Sequence, residues 1–285
     1  MSRNLRSIVR IVLLYVSFSA LWILFSDWAA NVLQARFGFP EIIETYKGWS
    51  FILVSGVLLF LLLHNELKEN DFRYKQNLQE KEELLQKLGQ KNLELLEAYD
   101  KTIFGWSRVL ELRNREVTDH SRRVTEVTVR LAKYLGIQEP DLSNIRRGAL
   151  LHDIGKMAIP DDIILKNDIL TEEERALIQR HPLLGFEMLS EIEYLRPAID
   201  ILLCHHEKWN GEGYPFGLSG EQIPLFARIF AVADVWDALI SERRYREAQS
   251  PEVAIEYLRS EAGQHFDPQI VAAFLKMIEE DGTFT

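Results

Sequence analysis

The sequence predicts an all-α chain in three parts. These are two N-terminal transmembrane helices over 1–65, a helical, coiled-coil connector over 66–102, and a helical globular domain over 103–285. Three features lead there. Apolar residues crowd into two runs near the N-terminus, each close to the length that crosses a bilayer. From Glu66 to Asp100 the chain is rich in Glu, Gln, Lys and Leu, with no proline and a single glycine, Gly89, which is helix-forming composition. From Ile103 onward apolar residues recur at helical spacing, as over Arg122–Leu135 and Pro251–Ser260, while strand-like alternation is scarce. Pro160, Pro182, Pro215, Pro224 and Pro251 mark the boundaries between these helices.

The first part rests on Ile8–Phe25, interrupted only by Arg10 and two serines, and on Trp49–Leu63, which carries no charge. Trp28, Tyr46 and Trp49 stand near the run ends, where amphipathic rings favour the headgroup zone. With them the spans extend to Ile11–Val32 and Lys47–His64. A basic start (Arg3, Arg6, Arg10) would also suit a signal peptide, but no clear small-residue cleavage site follows and a second apolar run does. Two spans are therefore expected over a cleaved leader or a buried core hairpin. Arg3, Arg6 and Arg10 precede the first span, and Lys68, Arg73 and Lys75 follow the second. Between them lie only Arg36 and Lys47, with Asp27, Glu41 and Glu44. The positive-inside rule then puts both termini and the globular domain on the cytoplasmic side of the inner (cytoplasmic) membrane, with the lipid bilayer as a partner. The stretches Trp22–Asp27 and Tyr46–Phe51 resemble the two-helix membrane modules that precede many bacterial signalling domains. The segment between the spans is too short for a folded sensor domain.

In the connector, Leu78, Leu85, Asn92 and Tyr99 recur every seven residues, and Leu88 and Leu95 supply the complementary seam, which Lys81 and Thr102 spoil. This is an imperfect coiled coil with Asn92 as a register-setting polar residue, expected to pair two copies in parallel as a homodimer. A single solvated helix is the alternative.

The formal net charge is −10, which argues against a nucleic acid polymer as a partner. An anionic small molecule stays open, because a bound metal ion reverses the local field. The one cysteine, Cys204, precludes an intrachain disulfide. Its apolar setting reads as a small packed residue.

The informative pattern is where the histidines fall. Five of the seven lie in four short polar islands: His120, His152–Asp153, His181 and His205–His206. Asp234 follows inside the apolar run Ile229–Ile240. Apolar flanks imply burial, and a buried imidazole or carboxylate is costly unless it is paired or holds a metal. Imidazole and carboxylate without thiolate suit Fe, Mn or Zn. Seven such groups exceed the needs of one ion, so a binuclear centre is expected, with Asp153 able to bridge.

His152-Asp153 resembles the signature of the HD phosphohydrolase superfamily, with its order His…His-Asp…Asp. His152-Asp153-Ile154-Gly155-Lys156, His181-Pro182, the run from His205-His206-Glu207 to Gly213-Tyr214-Pro215, Ala231–Leu239 and Gly263–Pro268 together look like the motifs of its HD-GYP family, over a stretch from about Tyr99 to the end. The resemblance implies an all-helical HD-type phosphohydrolase fold and hydrolysis of cyclic di-GMP by a metal-activated hydroxide. The products would be linear pGpG, GMP, or both. It also implies two or three divalent ions, commonly iron or manganese. The matching ligands are His120, His152, Asp153, His181, His205, His206 and Asp234, with Glu116 either a third-metal ligand or a solvated helix residue. By the same resemblance Lys156 contacts a phosphate oxygen, and Arg243 and Arg246 bind phosphate. Asp237, three residues past Asp234 and on the same helix face, is expected to orient a ligand or Lys156. Tyr214 either touches substrate or packs its loop. Arg244 stands where the family often has proline, and Arg246 where it often has lysine, which leaves the local loop shape open. His265 and His64 have no partner in the pattern. Nothing reads a guanine edge, so another cyclic dinucleotide or phosphate ester is an alternative substrate. A non-catalytic sensing scaffold is a further alternative, but its signature would be missing ligands, and none is missing.

Overall fold

Helices account for nearly all regular structure in the computed structural model, which describes residues 3–37, 42–114, 119–166, 168–242 and 247–280. There is no β-strand among them, only the isolated bridges Asn210–Ser219 and Ala262–Phe266. Contacts divide the chain into two units, 1–93 and 94–285.

The first unit holds α1 (Arg3–Phe37) and the beginning of α2 (Ile42–Asn114), which continues unbroken past the unit boundary. Both helices are long and apolar enough to cross a membrane. Trp22 lies 6.2 Å from the ring of Phe51, and Lys47 pairs with Asp27. Their outward rows stay bare, as at Leu24 and Leu53, each 70% exposed. The predicted connector lies within α2, where Leu78, Leu85, Leu88 and Leu95 are all exposed.

The second unit begins with the end of α2, which buries Ile103, Ser107, Leu110 and Glu111, a spacing that keeps them on one helix face. Then come α3 (His120–Tyr134), α4 (Asp141–Leu151), a 3₁₀ turn at Ile154–Ala158, α5 (Asp161–Ile164), α6 (Glu172–Ile178), α7 (His181–Leu189), α8 (Ile199–Cys204), α9 (Leu225–Ile240), α10 (Pro251–Ser260) and α11 (Pro268–Glu280). The helices expected at Arg122–Leu135 and Pro251–Ser260 are α3 and α10. Local signals set several of the ends. Thr171 and Glu174 form a reciprocal capping box at the start of α6, and Pro182 and Pro251 sit in the first turns of α7 and α10, where a missing N–H costs nothing.

The core explains the apolar run Ile229–Ile240. The helix α9 is surrounded, with Ile229, Phe230, Val232, Ala233 and Trp236 buried against residues of α3, α4, α10 and α11. Each large side chain taken fully out of water there contributes about 1.5–3 kcal/mol. A smaller cluster of Ile103, Leu151, Leu195 and Leu202 joins the end of α2 to α4 and α8. One close approach fixes how these layers meet. A Cβ on Gly155 would lie 1.9 Å from the carbonyl oxygen of His181 and 2.5 Å from the amide nitrogen of Gly185. Only glycine lets the 3₁₀ turn after His152-Asp153 lie directly on the start of α7.

Candidate metal centre

Each predicted ligand within the described residues sits at or near a helix end or on a core helix. His152 and Asp153 follow α4, His181 opens α7, His205 and His206 follow α8, His120 opens α3, and Asp234 projects from α9. Together they form two groups. Asp153, His181, His205 and His206 make one; His120, His152 and Asp234 make the other. Within each group the potential ligand atoms all lie within 4.8 Å of one another.

Asp153 joins the groups. Its Oδ2 is 3.1 Å from His152 Nε2, and its Oδ1 is 3.3 Å from His181 Nε2 and 4.0 Å from His205 Nε2. Burial opposes its ionisation, but the charges of His152 and Lys156 overcome this and hold the carboxyl well below its usual range. His152 is the mirror case: burial disfavours its charge, yet the adjacent Asp153 carboxylate raises its pKa to about 9. His205, His181 and His206 are pushed down by burial and by neighbouring imidazoles, His206 to about 3. Neutral imidazole is the form that binds a metal.

The far ring nitrogens settle which atoms face inward. Nδ1 of His152 donates to Ala149 O (2.8 Å), that of His181 to Ile178 O (2.8 Å), and that of His205 to Ile201 O and Leu202 O (3.0 Å each). A carbonyl can only accept, so each Nδ1 carries a proton, and in His181 and His205, where burial favours the neutral ring, Nε2 presents a lone pair. His181 Nε2 and His205 Nε2 then face one another at 3.1 Å with no proton to share. Two lone pairs that close repel unless a cation lies among them. This chemistry fits divalent ions, and backbone-oriented imidazoles are the usual support of metal ligands.

The supporting residues are placed as follows. Lys156 Nζ donates to Asp153 Oδ2 at 2.6 Å. Asp237 is buried beneath His120, with Oδ2 2.8 Å from Nδ1 and Oδ1 accepting from Arg123 Nε at 2.7 Å. It thus touches a ligand rather than Lys156. Burial works against its charge, but those hydrogen bonds lower its pKa to about 2. Tyr214 stacks on His206 with ring centroids 4.6 Å apart, and burial keeps its phenol protonated well above the ordinary range. His265 stacks on Phe266 instead, at 4.2 Å. Glu116, Arg243 and Arg246 lie outside the described residues.

Two residues without an assigned role in the sequence reading complete the site's support. Arg123, one helical turn past His120, pairs with Asp237. Glu207 is 2% exposed and accepts from the amides of Phe216 (2.8 Å) and Leu218 (2.9 Å), pinning the Gly213-Tyr214-Pro215 loop. A carboxylate directly after two histidines that close an apolar run was the available signal. The loop also depends on Gly213, where a Cβ would lie 2.4 Å from Glu207 Cα.

Residues 106–270, spanning every described ligand, match the HD domain family. The chain belongs to that family. Among curated relatives, a cyclic di-GMP phosphodiesterase response regulator of Xanthomonas campestris is 42% identical over 64% of this chain and 49% of its own length. A cyclic di-GMP phosphodiesterase of Thermotoga maritima is 38% identical over 73% of this chain and 57% of its own length. A 3′3′-cGAMP-specific phosphodiesterase of Vibrio cholerae is 37% identical over 66% of this chain and 36% of its own length. The chain thus spans about half the length, or less, of these curated relatives. Among solved structures, a cyclic GMP-AMP phosphodiesterase of V. cholerae shares the HD-type fold at a TM-score of 0.50 and 22% identity, over 63% of this chain and 48% of that one.

Proposed function

We infer that this chain is a membrane-anchored, metal-dependent phosphodiesterase that opens cyclic di-GMP to linear pGpG and/or GMP. The observation that carries the reading is Asp153: one carboxylate between two imidazole groups, with the ammonium of Lys156 on the oxygen that faces His152. Curated relatives at 42% and 38% identity carry the name cyclic di-GMP phosphodiesterase, which supports the substrate.

His120, His152 and Asp234 would hold one ion, and His181, His205 and His206 the other, with Asp153 shared; iron or manganese suits this donor set. Glu116 is proposed as the ligand of a third. When bound, such ions activate water and neutralise phosphoryl charge. Lys156 donates to a phosphoryl oxygen and offsets the charge that builds up in attack, and Arg243 and Arg246 grip the remaining phosphate oxygens. Water delivers its hydroxyl to phosphorus and its proton to the departing 3′ oxygen, so no protein nucleophile is required. Asp237 and Arg123 hold His120 in one tautomer throughout.

The exposed apolar rows of α1 and of the first part of α2 suit lipid, with the catalytic unit and both termini cytoplasmic. The heptads between Leu78 and Tyr99 suit a parallel homodimer.

The test is metal analysis of the full-length protein together with product identification after incubation with cyclic di-GMP. Two ions per chain and linear product are expected, with D153N losing on the order of a thousandfold in turnover. A metal-loaded wild-type chain that binds but never cleaves the dinucleotide would make it a sensing scaffold and refute the enzymatic reading. The similarity to a 3′3′-cGAMP-specific enzyme favours a second reading in which the mixed dinucleotide is the substrate. Side-by-side turnover of the two dinucleotides separates these readings.

A further inference from the structure

The last two turns of α2 reach both metal-ligand groups. On one side, the buried carboxylate of Glu111 accepts from the amide of Ser121 at 2.8 Å, in the first turn of α3, next to His120. It satisfies a helix-end N–H that has no intrahelical partner. Arg108 Nη1 adds a 2.7 Å bond to Asp119, whose left-handed backbone (φ 68°) turns the chain into α3. On the other side, Arg113 reaches the turn that follows Asp153. Its Nη1 donates to the carbonyl of Lys156 at 2.7 Å. Its Nη2 donates to the carbonyl of Ile159 at 2.6 Å and to Asp161 Oδ1, also at 2.6 Å.

We propose that Arg113 is a positioning residue that sets the Lys156 ammonium against Asp153 by clamping the Lys156 carbonyl within the Ile154–Ala158 turn and the Ile159 carbonyl just past it. With Glu111 it makes the end of α2 the mechanical input to the metal site. The role of Lys156 rests on the function proposed above; the clamp itself does not. A guanidinium suits the task because its donors form a rigid fork, here spread over two backbone acceptors. Lysine, a single point of charge, would reach only one of them. The ion pair with Asp161 is a lesser part, since that carboxylate is 66% exposed and water screens it. The consequence is directional. Any axial shift or rotation of α2 is delivered to the backbone of Lys156 through Arg113, and to the start of α3 through Glu111. Lys156 holds the Asp153 oxygen that faces His152, and His120 shares its group with His152 and Asp234, so one helix acts on the backbone beside both.

The full-length chain tests this through R113A, R113K, D161A, K156M and the R113A/K156M double variant. R113A is expected to lower kcat on cyclic di-GMP by about ten- to a hundredfold, with metal content unchanged, and R113K to recover part of the loss. In the K156M background R113A should cost nothing further, because residues acting through one another are not additive. D161A should stay within about twofold of wild type. Independently of turnover, amide exchange over residues 154–160 should speed up in R113A and not in D161A. Full multiplication of the R113A and K156M effects, loss of metal in R113A, or unchanged exchange in that segment would each overturn the proposal. If the wild-type chain cleaves no cyclic dinucleotide, the functional reading fails while the exchange measurement still decides the clamp.

Discussion

A methyl group at position 155 has nowhere to go, because the atoms it would meet are backbone. The His181 carbonyl would be 1.9 Å from it and the Gly185 amide nitrogen 2.5 Å, so no rotamer relieves the clash. Overpacking against flexible side chains costs about 1–3 kcal/mol. Here a whole turn must separate from the start of α7, and G155A is expected to cost about 3 kcal/mol or more. In a unit of this size that lowers the thermal midpoint by about 6–12 °C, readable by circular dichroism. A midpoint within a degree or two of wild type would mean that the turn does not lie on α7. Because the same turn carries His152-Asp153 toward His181, metal binding should weaken in parallel. Cys204 makes the opposite kind of test. Burial, then the charges of Glu207 and Asp200, push its thiol up to about 12. At pH 8 only about one part in ten thousand is thiolate. Iodoacetamide should leave it unmodified in the folded chain and label it fully in guanidinium; rapid labelling of the native protein would contradict the packing of α8 on α9.

At the scale of elements, the Gly213-Tyr214-Pro215 loop stacks on His206 through Tyr214 and is pinned at its far end by Glu207. Both oxygens of Glu207 accept backbone amides, from Phe216 and Leu218, in a place with 2% exposure. Glutamine keeps the shape, but it replaces one charged acceptor with an amide that cannot accept. E207Q is therefore expected to destabilise by about 1.5–3 kcal/mol, and hydrogen exchange at Phe216 and Leu218 should rise while the α9 amides stay protected. Exchange that rises evenly across the unit would instead assign Glu207 to global packing. This element also marks where sequence stops being informative. The candidate ligands were legible because polar residues inside apolar helix ends stand out locally: His152 after Leu150-Leu151, His205 after the run of α8. The membrane-length helices, α3 and α10 were legible from composition and period. Of the supports only Asp237 was, from its place one helical turn past Asp234, and its partners were not. It meets His120 across 117 positions and Arg123 across 114, and Arg113 meets the Lys156 turn across 43. Such pairings exist only once α2, α3, α4 and α9 have packed, and no local pattern announces them.

For the whole molecule, the question left by α2 is what covers its connector. Leu78, Leu85, Leu88 and Leu95 are 46%, 67%, 56% and 49% exposed in the single chain, and they stand at the seven-residue spacing that brings apolar side chains of two helices together. An isolated helix with such a row exposed is a poor end state in water, and a second copy supplies the same row in the same order. The full-length protein in detergent is therefore expected to sediment as a dimer. In L85K/L88K four knobs of the paired seam become charged, each forfeiting about 1.5–3 kcal/mol of burial, so the dissociation constant should rise by on the order of a thousandfold or more. N92L should act in the other direction, tightening association while loosening the choice of register and partner number, because a buried asparagine trades stability for pairing specificity. A protein that is monomeric with or without these substitutions would leave the row solvated and remove the homodimer from the functional reading. A dimer that survives L85K/L88K would place the pairing surface elsewhere on the chain.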